Sequence, residues 1–186
     1  MKKREISVSG YENIQGVYRI IFENIRFHEN CFYIIEKIIR GFTDSSEMFF
    51  GFYRTDGVNL TFEQYEKYQK EIWDFFKSHG EIKQLNEYLW VAKAKMDDVS
   101  YKMLPCVFDY YLNTVLFVPQ MEWDFFTQYH YEYMNHSNED YVVSDYTQVV
   151  FSYFDSGDFS VCFNSQKYDP DAVLSVIDEI VFDVYC

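Results

Sequence analysis

Apolar residues in this chain recur in two rhythms, one helical and one alternating, and the switches between them outline the elements. From Phe62 to Phe76 the set Phe62, Tyr65, Tyr68, Ile72, Phe75 and Phe76 repeats three and four residues apart, so it lies on one face of a helix. Thr61 stands where an N-cap belongs, Gln64 completes a capping box, and Gly80 marks the end. Cys31, Phe32, Ile35, Ile38 and Ile39 predict a second helix over His28 to Arg40, with Gly41 as C-cap. A third is predicted to open at Pro119 and to carry Met121, Phe125, Phe126, Tyr129 and Tyr133. A fourth starts from Asp169 as N-cap and Pro170 at the first position, burying Leu174, Ile177, Val181 and Val184.

Met48 to Tyr53 and Tyr88 to Lys95 read as strands; Thr55-Asp56-Gly57 reads as a turn after the first, and Asp97-Asp98 as one after the second. Leu104 to Tyr111 and Thr114 to Val118 read as two short strands about a tight turn at Leu112-Asn113. Asn135 to Asp140 reads as a polar loop. Gln148 to Phe154 and Phe159 to Phe163 flank Asp155-Ser156-Gly157-Asp158, a hairpin signal. Near the start, Ile14, Val17, Tyr18, Ile21 and Ile25 keep helical spacing, while Val17 to Phe22 is also a β-type run; both readings stay open. The pattern predicts an α+β fold in one domain over residues 1–186, with a mixed or antiparallel sheet and about four helices packed on it. Trp-Asp-Phe-Phe at 73–76 and again at 123–126 fits either a worn strand–helix–strand duplication or chance in an aromatic-rich chain.

Composition adds one exclusion: 22% of the residues are aromatic, against 7 Gly and 3 Pro, which rules out a disordered chain. A chain of 186 residues buries roughly 70% of its unfolded surface without disulfide or metal staples. No transmembrane or leader segment is visible: the basic start, Met1 to Arg4, is followed by no apolar stretch. Cys31, Cys106, Cys162 and Cys186 are scattered without close pairs, as a reducing cytoplasm permits.

Charge changes the picture most. Residues 1–95 hold 14 Lys/Arg and 14 Asp/Glu, while residues 96–186 hold 2 and 16, so the whole net charge of −14 falls in the second half. A field of one sign repels nucleic acid and anionic lipid and attracts basic proteins. Direct nucleic-acid or membrane binding is therefore not expected.

Motifs for chemistry are sparse. The isolated glycines form no phosphate-binding loop and no GxSxG elbow. His28 and Cys31 share helical spacing with no second ligand pair, and His79 suits a helix C-terminus. Asp155 with Asp158, and Asp169 with Asp171, lack the further ligands of a calcium loop. No cofactor and no metal is expected. Tyrosine and carboxylate interleave in the second half, and Tyr131, Tyr133, Glu139, Asp140, Tyr141, Asp145, Tyr146, Tyr153, Asp155 and Asp158 are the candidate partner-binding residues. The expected function is that of an immunity- or antitoxin-type inhibitor that covers the basic active site of a nucleic-acid-acting toxin, or of a DNA mimic that blocks a DNA-binding protein. The alternatives are a small enzyme using His130, His136, Glu139 and Asp140, or an oligomerising structural subunit.

Overall fold

The computed structural model describes residues 7–12, 16–23, 30–53, 62–86, 89–110, 114–133, 147–153 and 159–183. Among them are eight strands, β1 (Ser7–Glu12), β2 (Val17–Glu23), β3 (Glu47–Tyr53), β4 (Gly80–Gln84), β5 (Leu89–Lys95), β6 (Val115–Pro119), β7 (Thr147–Tyr153) and β8 (Phe159–Asn164). The five helices are α1 (Asn30–Phe42), α2 (Phe62–His79), α3 (Asp98–Tyr110), α4 (Trp123–Tyr133) and α5 (Pro170–Asp183). All eight strands join one sheet in the order β1-β2-β8-β7-β6-β3-β5-β4. Every neighbouring pair is antiparallel. The α+β class with an antiparallel sheet is thus established. The three strands of the acidic half lie side by side, flanked by strands of the charge-balanced half.

Successive residues of a strand point to opposite faces, and here both faces are buried. One face presents Phe50, Ala92, Leu116, Phe151 and Val161 to α1, α2, α3 and α5, which contribute Ile35, Phe76, Leu104 and Val173. The other presents Phe49, Val91, Phe117, Val150 and Cys162, and α4 covers it with Trp123 and Phe126. Two-sided burial explains why β6 and β7 read as continuous apolar runs instead of alternating ones. The two Trp-Asp-Phe-Phe copies serve opposite faces. Phe75 and Phe76 enter the first cluster, near the end of α2; Trp123 and Phe126 enter the second, at the start of α4.

Several expectations need correction. Residues 104–110 are the second half of helix α3, and the acidic pair Asp97-Asp98 starts that helix. The Asp97 carboxylate accepts the Ser100 N–H at 2.9 Å, an N-cap bond. Tyr101, Leu104, Val107 and Phe108 are all buried on one helical face. Each such burial contributes about 1.5–3 kcal/mol, which outweighs the roughly 3 kcal/mol cost of Pro105 inside the helix. Pro119 ends β6 and does not open α4; it sits at a register shift against β7, where a residue without an N–H is tolerated. Gly41 lies within α1, which runs on to Phe42. Val17–Glu23 is a strand, and β1 and β4 add edge strands that the sequence reading lacked. The buried face of α5 begins at Val173, with Leu174 partly buried; Ile177 and Val181 are on the helix, and Val184 lies outside the described residues. Thr61, Gln64 as a side chain, the turn 55–57, the loop 135–140 and the hairpin turn 155–158 also lie outside what is described.

The N-cap carries a prediction. Asp97 is held below the ordinary carboxylate range, first by the Ser100 backbone N–H and then, against burial, by the approach of the Ser100 hydroxyl, which falls short of a completed hydrogen bond, and by His79. A depressed carboxyl contributes stability above its unfolded pKa of about 4 and loses it as pH falls through the folded value. Asp97→Ala is expected to cost about 1 kcal/mol at pH 7, and urea unfolding should show that difference shrinking below pH of about 4.

Candidate partner-binding surfaces

Of the ten candidate residues, Tyr131 and Tyr133 are placed on the last turn of α4 and Tyr153 at the end of β7, without described side chains. Glu139, Asp140, Tyr141, Asp145, Tyr146, Asp155 and Asp158 lie outside the described residues. How these ten side chains lie relative to one another is therefore outside what the structure describes. The anchors of the region are defined. α4 is docked through Trp123 and Phe126. The start of β7 is tied down by buried Gln148, whose carbonyl oxygen accepts the Asp44 N–H at 3.3 Å and the Tyr168 hydroxyl at 3.1 Å. Its amide nitrogen donates to the Asp44 carboxylate. Burial, and then Asp44, push the Tyr168 phenol above its ordinary pKa. β7 itself spans about 20 Å, so the chain before it and the chain after it attach at opposite ends of the sheet.

Five of the sixteen carboxylates of the acidic half sit at helix starts: Asp97 and Asp98 at α3, Asp124 at α4, and Asp169 and Asp171 at α5. There they complement the helix dipole and the unpaired first-turn N–H groups, so part of the segregated charge has a structural cause. Asp98 also pairs with Arg40, and Asp124 with Lys83 at 3.8 Å, across the two halves. The remaining acidic excess falls largely on residues 132–158 and the end of α5.

Of the groups considered for chemistry, His79 behaves as expected at the end of α2: its ring stacks on Phe75 at 4.9 Å and its Nδ1 lies 3.3 Å from the Phe75 carbonyl. His130 is on α4 without a described side chain; His28 and His136 are outside the described residues. Cys106 is half-buried and Cys162 buried, both as free thiols. Among the described residues no group of three or more His, Cys, Asp or Glu side chains is placed to hold a metal. No described helix is long and apolar enough to cross a membrane.

The sequence reading missed a cleft between α1 and α3. Its volume is about 390 Å³, and Phe32, Tyr33, Glu36, Asp98, Tyr101 and Lys102 line it. Arg40, one turn beyond Glu36, donates from Nε to the Glu36 carboxylate at 2.8 Å and from Nη2 to Asp98 at 2.5 Å. Its guanidinium also stands 4.8 Å from the Tyr101 ring centroid. Tyr101 is only 6% exposed. Burial pushes its phenol up to about 12, with Arg40 opposing. Tyr33 and Val99, on these same two helices, are the exposed large hydrophobic residues among those described. The i, i+3, i+7 spacing of Tyr33, Glu36 and Arg40 was visible in the sequence. Its partner Asp98, 58 residues away from Arg40, was not.

A second polar cluster lies over the α4 face. Lys83 and Lys93 each stand 5.4 Å from the Trp123 ring centroid, with Glu81 3.1 Å from Lys83 and 3.9 Å from Lys93. Glu81 is held below the usual carboxylate range, first by the approach of the Trp123 N–H and then, against burial, by the two lysines. That N–H falls short of a completed hydrogen bond, so the contact is a loose one. The cluster satisfies its own charges and reads as a clamp on α4. Compared with known proteins, the chain matches no family model, no curated protein and no solved structure.

Proposed function

We propose that this protein is an acidic, protein-binding inhibitor of the immunity or antitoxin type, acting in the cytoplasm by covering the basic active site of a nucleic-acid-acting toxin. The observation that carries the reading is the segregated charge, −14 over residues 96–186 against zero over residues 1–95. Five helix-start carboxylates account for only part of it. The candidate surface is the Tyr-, Asp- and Glu-rich stretch from Tyr131 to Asp158, between α4 and the β7–β8 hairpin. Tyrosine supplies stiff contact area, and the carboxylates steer a basic partner and complement its lysines and arginines. The mechanism is occlusion without chemistry. A DNA mimic that blocks a DNA-binding protein uses the same surface.

Affinity capture from the native cell's lysate, washed at stepwise salt, tests the reading. The expected result is one basic protein, released only at high salt, whose activity falls to zero on adding this chain in stoichiometric amount. Retention of only neutral or acidic proteins, or a captured enzyme that stays fully active, contradicts it. Turnover by the chain itself, lost in a folded His130→Ala or His136→Ala variant, would favour the enzymatic alternative instead.

A further inference from the structure

We draw no further inference here: the strongest candidate, the surface patch of Tyr33 and Val99 beside the cleft between α1 and α3, carries nothing because the protein's own Arg40 already takes the carboxylates and ring face of that cleft and nothing in the structure shows what covers the patch.

Discussion

Gly80→Ala is expected to lower stability by about 3 kcal/mol or more, seen as a fall in Tm of about 10 °C. Helix α2 ends at His79 and strand β4 begins at Gly80, with no connecting residue between them. The chain turns from helix to strand while it pairs with Ala94 of β5. A Cβ at position 80 would lie 1.9 Å from the Lys93 carbonyl oxygen and 2.8 Å from its carbon. Both atoms are backbone in an interior strand of the sheet, so neither side can give without breaking the β4–β5 ladder. The requirement is for space, since Gly16 is the described glycine with positive φ. Gly41→Ala is the control: nothing lies within 4 Å of its Cβ position, inside α1, and there alanine should stabilise by about 0.5–1 kcal/mol. A Gly80→Ala protein that melts with the wild type would contradict the close packing of β4.

Phe126→Ala is expected to cost about 3–5 kcal/mol. Phe126 is fully buried, with its ring 5.0 Å from Phe49, 5.4 Å from Phe117 and 5.8 Å from Trp123. Four helices share the first face of the sheet, whereas α4 covers the second with two large side chains, so no neighbour can move in to fill the void. The loss has a functional side. α4 leads directly into the stretch carrying Glu139 to Tyr146, and an undocked α4 leaves that stretch without its first anchor. Partner affinity should therefore fall in Phe126→Ala even at temperatures where the protein is still folded, and calorimetry with binding at 10 °C separates the two effects. Unchanged affinity in the folded variant would disconnect α4 from the binding surface.

The elements legible in the sequence were those with a full period and punctuation. α2 showed about four turns of apolar repeat, α5 a cap and a first-position proline, and strands β7 and β8 a pair of apolar runs on either side of Asp-Ser-Gly-Asp. The cap is observed: Asp169 accepts the Asp171 N–H at 3.1 Å, and Val173 N–H reaches the Asp169 carbonyl at 3.1 Å. α3 was illegible because Pro105 and a compact run of Leu, Val and Phe imitate a short strand, and only burial against α1 and α2 decides for the helix. β4, Gly-Glu-Ile-Lys-Gln, has one apolar residue and is a strand because β5 offers it an edge; its charged side chains then discourage further pairing. The α1–α3 cleft depends on an Arg40–Asp98 pairing that no local pattern announces. The charge segregation was legible, and so was the helix-start role of Asp169, but that of Asp97 and Asp98 emerged only once α3 was seen to begin at Asp98.

The most direct test of the inhibitor reading is the affinity of the captured basic partner for Asp140→Asn/Asp145→Asn/Asp155→Asn compared with wild type, measured at low and at high salt. Loss of three complementary charges is expected to weaken binding about 100-fold or more at low salt, with a shallower salt dependence, while the melting temperature stays near that of the wild type. Equal affinity for both proteins at both salts would contradict a partner surface on residues 131–158.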